Sequence, residues 1–230
     1  MLDIEDFFLN LDAEILIFLN SIHINIFDQI MWYVTTKWTW IPLYASILYV
    51  IIKRGNKYAI ALSIIAFVLT IVVTDQFCSS IIRPYFHRLR PSNPSNSISS
   101  MLHLINGYRG GKYGMPSCHA ANSFGLAVFM MTYFKNKTLN YFMFSWAILN
   151  AYSRIYTGVH YPSDIFVGII IGVLSALLIF YGMRTLNTKN RMIADITTRT
   201  WNNKMIMPII YTGGLNIMAI IVYSIYLLYI

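Results

Sequence analysis

Charge is what this sequence has least of. Only 11% of its 230 residues are Asp, Glu, Lys or Arg, against about a quarter in soluble domains. Such a chain cannot clothe a soluble globule, and 57% hydrophobic residues with a mean hydropathy of +0.56 point to a bilayer. Cysteine is nearly missing. Cys78 and Cys118 are too few for a disulfide framework and lack metal-ligand spacing, and Cys78 reads as core filler. A basic leader is missing too: MLDIEDFFLNLDAEIL is acidic and does not read as a cleaved signal peptide. No repeat or low-complexity run is visible. Gly107, Gly110, Gly111 and Gly114 fit neither GxGxxG nor a P-loop, and read as a lid. The net charge of +8 raises nucleic acid as a partner. The basic residues, however, sit mainly in short loops between apolar runs, where membrane topology explains them and no nucleic acid is expected.

What remains is an all-α polytopic helix bundle, with residues 1–230 forming one integral-membrane domain. Residues 3–20 have apolar groups at helical spacing broken by five acids, which predicts an amphipathic helix lying in the interface. Trp32, Trp38 and Trp40 suit interfacial anchoring. About six spans follow, near 39–52, 58–82, 119–134, 139–156, 164–183 and 207–230. Asp75 lies inside the second span, where an acid needs a partner; a structural bond to a neighbouring helix is expected. Gly168 and Gly172 permit close helix packing in the fifth. Lys53, Arg54, Lys57, Lys135, Lys137, Arg184, Lys189, Arg191, Arg199 and Lys204 share one side with the single acid Asp195. The positive-inside rule makes that side cytoplasmic, so the 83–116 loop and the His160 loop face outward.

Three clusters meet on that outer face. Arg83 to Pro91 (RPYFHRLRP) leaves the second span, Pro116-Ser117-Cys118-His119 opens the third, and SRIYTGVHYPSD, Ser153 to Asp164, joins the fourth to the fifth. Arginine offers a planar fork of donors matched to phosphate oxygens. Ser117 is placed to cap a helix whose first amides would point at an anion. Arg83, Arg90 and Arg154, with that helix end, could neutralise a phosphate dianion without a metal. His160 would attack phosphorus while Asp164 fixes its tautomer, and His119 would protonate the leaving oxygen and then activate water. The bland reading of the same residues is an ordinary polar loop with Asp164 as a cap. His87 and His103 could join the other two histidines on a metal only if carboxylates converged there, so no metal or cofactor is expected. Arg88, Arg109 and Lys112 either steer an anionic head group or are ordinary loop charges.

The order basic-x6-R-P, P-S-x-H, S-R-x5-H-x3-D resembles the three-part signature of the type 2 phosphatidic acid phosphatase superfamily, in its bacterial membrane branch. The resemblance implies His160 as nucleophile, His119 as general acid, Asp164 as the orienting acid, and Arg83, Arg90, Ser117, His119 and Arg154 as phosphate binders. Two positions depart from the pattern: the family usually has lysine at Arg83 and glycine at Cys118. Arginine keeps the charge in a bulkier fork, and Cys118 adds a side chain where the family has none. The expected activity is metal-independent hydrolysis of a terminal lipid phosphate through a phosphohistidine, at the outer face of a bacterial inner membrane. Analogy ranks undecaprenyl diphosphate first, then phosphatidylglycerophosphate, phosphatidic acid and lipid A phosphates. A non-catalytic lipid-binding or transport protein is the alternative from another class.

Overall fold

The computed structural model describes residues 4–54, 57–188 and 201–229. Among them the secondary structure is helical throughout: α1 (Ile4–Ser21), α2 (Asn25–Thr35), α3 (Ile41–Arg54), α4 (Lys57–Gln76), α5 (Arg83–Phe86), α6 (Cys118–Phe134), α7 (Lys137–Tyr156), α8 (Pro162–Thr188) and α9 (Asn203–Tyr226). Three stretches are long and apolar enough to cross a membrane: Lys57–Phe86, Pro162–Thr185 and Asn203–Tyr226. The expected first span is shorter, a 14-residue α3 entered through a 3-10 turn at Lys37–Trp40. At 17 residues α6 reaches only about 26 Å at 1.5 Å per residue. The loop predicted at 184–204 begins later, because α8 continues to Thr188; Lys189, Arg191, Asp195 and Arg199 lie outside the described residues.

The centre of the bundle is the pair α6 and α8, with α4 and α7 on its flanks. Small residues bring the two backbones together. A methyl at Gly168 would stand 2.5 Å from the Ser117 carbonyl oxygen, and one at Gly172 would fall on that of Ala121. On the outer side α3 packs against α9, and α2 against α7 and α9.

The N-terminal helix is amphipathic, but not in the simplest sense. Asp12, Leu16 and Asn20, spaced by four, form its buried stripe, while Phe7, Phe8 and Phe18 are exposed. Two polar groups can face inward because each finds a partner. Asp12 meets Arg88 and Ser163, and the Asn20 amide donates to the carbonyls of His103 and Tyr156. The chain then bends by 117° into α2.

Near its end α4 widens into a π turn at Phe77–Ile82, directly before Arg83 and Pro84. Proline has no N–H to continue the ladder, and a widened turn accommodates the break. Cys78 in this turn is fully buried against Ala121 and Ile171.

Connectivity places the three motif clusters at one end of the bundle. The ends of α4 and α7 and the starts of α6 and α8 meet there. Lys53, Lys57, Lys135, Lys137 and Arg184 flank the opposite helix ends.

Candidate functional site

Ser117 caps α6, its hydroxyl accepting from the Ala120 amide, and its own N–H donates to the Asp164 carbonyl. This ties the second motif to the third. The serine is fully buried, and its hydroxyl, which only accepts at the cap, keeps its own proton free to donate. The helix it opens carries His119 one residue beyond Cys118, at the cavity.

A cavity of about 550 Å³ opens at the motif end of the bundle, and Arg83, Arg90, His119, Arg154 and His160 all line it. Three cations in one cleft repel each other and are held by what surrounds them. Arg83 donates through Nη2 to the Pro116 carbonyl at 3.0 Å and the Cys118 sulfur at 2.8 Å. The two departures from the family pattern are therefore in contact: the longer, forked side chain finds an acceptor in the added thiol. Arg90 donates to the Val159 carbonyl at 3.0 Å and meets His160 Nε2 at 2.7 Å. Arg154 donates to the Thr35 hydroxyl and lies 6.0 Å from the centre of the Tyr108 ring. Each guanidinium still has a buried Nε–H with no partner. Burial, with the positive charges of Arg154 and Arg83, pulls Arg90 down to about 10, which leaves it protonated at neutral pH.

The geometry assigns the tautomer of His160. Arg90 can only donate, so Nε2 is the accepting nitrogen, and Nδ1 carries the proton toward Asp164 Oδ2 at 3.2 Å. Burial first, and then the cations Arg90 and Arg154, hold this imidazole well below its ordinary value, so it is neutral at pH 7. A neutral imidazole with its lone pair toward a cationic cavity is a nucleophile for an anionic electrophile.

Asp164 is wholly buried yet well supplied with donors. Its Oδ2 accepts from the Tyr161 amide at 3.1 Å as well as from His160, and its Oδ1 faces Arg88 at 3.3 Å. Arg88 donates in turn to Asp12 at 2.7 Å and stacks 3.9 Å from the centre of the Tyr161 ring. Asp12 also accepts from the Ser163 amide at 2.9 Å, a negative charge at the start of α8. Of the two readings open for Arg88, neither free steering nor idle loop charge describes it: both of its carboxylate partners are largely buried. Arg109 is committed elsewhere, to the Ser92 carbonyl and Ser99 hydroxyl.

Sequence reasoning missed Thr35, Lys37 and Tyr108, which also line the cavity. They arrive from α2, the turn after it and the outer loop, and no local pattern marks them. His87 and His103 stand apart from the cavity lining. His103 pairs with Asp28 at 2.7 Å and stacks on His23, and His87 meets Tyr113 edge-on. Among the described residues no three His, Cys, Asp or Glu side chains are grouped to hold a metal ion. The glycine-rich loop is strapped to the first motif: Arg90 N–H donates to the Lys112 carbonyl and Gly114 N–H to that of Arg88. A methyl at Gly114 would stand 2.9 Å from Asp164 Oδ2, so this close approach needs glycine. Asp75 accepts from the Asn122 amide of α6 at 3.1 Å, the interhelical bond expected of it, and it also lines the cavity.

Known proteins resemble this chain in sequence and in fold. The family described as the PAP2 superfamily matches residues 58–188, a stretch that contains all three motifs. A lipid A 4'-phosphatase of Bacteroides thetaiotaomicron is 40% identical over 220 residues, 96% of this chain and 98% of that protein. A lipid A 4'-phosphatase of Porphyromonas gingivalis is 34% identical over 170 residues, 74% of this chain and 71% of that one. Among solved structures, Aquifex aeolicus LpxE has a similar fold, with a TM-score of 0.53, 22% identity, and coverage of 73% of this chain and 93% of its own.

Proposed function

The chain belongs to the PAP2 superfamily and is an integral-membrane lipid phosphatase, and on that premise we propose that it removes a phosphate from lipid A through a phosphohistidine on His160. One observation carries the chemistry: Arg83, Arg90 and Arg154 line the same cavity as His119 and His160, and each keeps a buried Nε–H without a partner. A buried donor left unpaired costs about 1–3 kcal/mol. A phosphoryl group in the cavity supplies acceptors for these guanidinium groups and neutralises their mutual repulsion.

In this reading His160 Nε2 attacks phosphorus as Arg90 turns its Nη1 from the imidazole to a phosphoryl oxygen. The P–N bond forms while the bond from phosphorus to the lipid oxygen breaks, and His119 gives its proton to that oxygen. Water, deprotonated by His119, then attacks the phosphohistidine, the P–N bond breaks and inorganic phosphate leaves. Asp164 holds the Nδ1 proton throughout and stabilises the charge that develops on the ring. Arg83, Arg90 and Arg154 hold the equatorial oxygens and meet the charge that develops on them. Ser117 presents the start of α6, and its hydroxyl, which accepts at the cap, keeps a proton to donate to a phosphoryl oxygen.

The substrate ranking departs from the expectation that put undecaprenyl diphosphate first. Two relatives that match most of this chain are named lipid A 4'-phosphatases, which supports lipid A phosphate in that place. The bundle ends that carry Lys53, Lys57, Lys135, Lys137 and Arg184 lie opposite the cavity. By the positive-inside rule this supports a site at the outer face of the inner membrane, within one catalytic domain. The test is release of phosphate from lipid A by the purified chain in detergent, followed by mass spectrometry of the lipid. Wild type should remove one phosphate with EDTA present, and His160→Ala should lose at least about 10³-fold. A wild-type protein that leaves lipid A untouched while hydrolysing phosphatidic acid or a polyprenyl diphosphate would overturn the substrate assignment. Unchanged activity in His160→Ala would overturn the mechanism.

A further inference from the structure

The cavity is much larger than a phosphate. At about 550 Å³ it must receive more of the substrate than five heavy atoms, and its lining is layered. Toward the motif end of the bundle stand the arginines and the two imidazoles. About one helical turn further in, Asn122 follows His119 on α6 and Asn150 precedes Arg154 on α7. The bond from the Asn122 amide sets Asp75 at that level. About two turns in, Ile71, Leu126 and Trp146 close the space. Charge, then neutral polar groups around one carboxylate, then apolar surface: an amphiphile bound here meets them in that order.

We infer that Asp75, braced by Asn122, together with the indole N–H of Trp146, recognises the sugar of a phosphorylated glycolipid. The chemistry discriminates between lipid classes. A carboxylate accepts about four hydrogen bonds and donates none, and Asn122 supplies one. It therefore asks the substrate for N–H or O–H groups beside the phosphate. An acylated aminosugar has them. The glycerol diester of phosphatidic acid offers ester acceptors only, and a polyprenyl phosphate offers hydrocarbon. Trp146 is an independent observation. It is 3% exposed, it lines the cavity, and its Nε1–H has no partner. Its ring packs edge-on against Trp40 and Tyr44, centroids 5.5 and 6.5 Å away. An aromatic wall with a buried, unpartnered N–H suits a sugar's C–H face and an amide or ester carbonyl. Thr74 completes the support, its hydroxyl donating to the Asn122 side-chain oxygen and so directing the Asn122 amide toward Asp75.

The inference rests on the reading that a lipid phosphate is hydrolysed at this site, and it deepens that reading by naming what sets the choice of lipid. The experiment compares kcat/KM on lipid A with kcat/KM on a phosphatidic acid of matched chain length, for the full chain and for Asp75→Asn and Trp146→Phe. Loss of one hydrogen bond to a charged group lowers the lipid A to phosphatidic acid ratio by about 10–100-fold in Asp75→Asn. Trp146→Phe keeps the ring and drops only the N–H; its ratio falls by about 3–10-fold, the worth of one neutral hydrogen bond. Equal losses on both lipids would assign Asp75 to helix packing alone and overturn the inference, as would ratios that stay at the wild-type value. If Asp75→Asn does not fold, Trp146→Phe decides by the same ratio. A wild-type protein without activity on lipid A fails differently: it overturns the substrate reading, and this inference with it.

Discussion

Arg88→Met removes one cation from between two carboxylates, and the structure sets what that should cost. Its Nη2 lies 2.7 Å from Asp12 and its Nη1 3.3 Å from Asp164, with side-chain exposures of 18% for Arg88, 10% for Asp12 and 0% for Asp164. Breaking a buried ion pair by removing one partner typically costs about 3–5 kcal/mol. Partial exposure of Arg88 argues for the lower figure, about 3 kcal/mol, which lowers the unfolding midpoint of a chain this size by roughly 6–12 °C. The same change should reach catalysis. Asp164 meets Arg88 through one carboxylate oxygen and His160 through the other, so loss of the first contact frees the group to turn away from the imidazole. A tenfold fall in kcat corresponds to about 1.4 kcal/mol of lost transition-state stabilisation, well within what this contact can supply. Arg88→Lys should recover only part of either quantity, because a point charge cannot fork between both acids. The assay is a double-mutant cycle of Arg88→Met with Asp12→Asn, read in unfolding midpoints and in kcat. A coupling of about 1–3 kcal/mol is expected for partners in one network. Additivity within about 0.5 kcal/mol, with kcat intact in Arg88→Met, would refute the view that α1 supports the His160–Asp164 pair.

Four further outcomes are expected. His119→Ala should lower kcat/KM, which reports formation of the phosphohistidine, by about 10²–10⁴-fold on an alkyl lipid phosphate, but much less on a nitrophenyl phosphate, whose leaving oxygen needs no proton; equal losses in kcat/KM would remove His119 from the acid role. Because burial and neighbouring cations hold His160 below its ordinary value, the limb of kcat/KM that reports its protonation should lie below that of a free imidazole, with activity kept as pH falls through the ordinary histidine range. Arg90→Gln removes one of those cations and should move the limb upward; movement downward would contradict the assignment. Vanadate should inhibit competitively with lipid substrate, since the arginine cluster serves both, and inhibition independent of substrate concentration would place it elsewhere. Gly172→Val should prevent folding or lower the unfolding midpoint sharply, because its side chain would fall on the Ala121 carbonyl and push α6 from α8; a neutral result would show that the two helices can part.

Much of the site was legible because its parts are short and local. Ser117 and His119 sit at one helix start, and His160 and Asp164 are four apart across a turn. Alternation of apolar runs and loops then put all three clusters at one end, an argument from connectivity that needs no coordinates. The supports were not legible, because each pairs residues distant in sequence. Arg88 with Asp12 or Asp164 spans 76 positions, Arg154 with Thr35 spans 119, and Asn122 with Asp75 spans 47. Nothing local distinguishes Arg88 from Arg109, two basic residues of the same loop. One holds a buried carboxylate and the other straps the loop to itself.

Residue chemistry and helical periodicity alone determined that this chain is a membrane helix bundle with cations, imidazoles and a carboxylate gathered at one end, since those follow from the bilayer's demand for apolar runs and from the order of loops. Packing decided the rest. Which face of α1 turns inward, which arginine braces Asp164, that Arg83 and Cys118 meet, and how far the cavity reaches beyond the phosphate all depend on how close α4, α6, α7 and α8 approach. That approach is set by glycine contacts and buried hydrogen bonds across the bundle, which exist only once distant segments have come together.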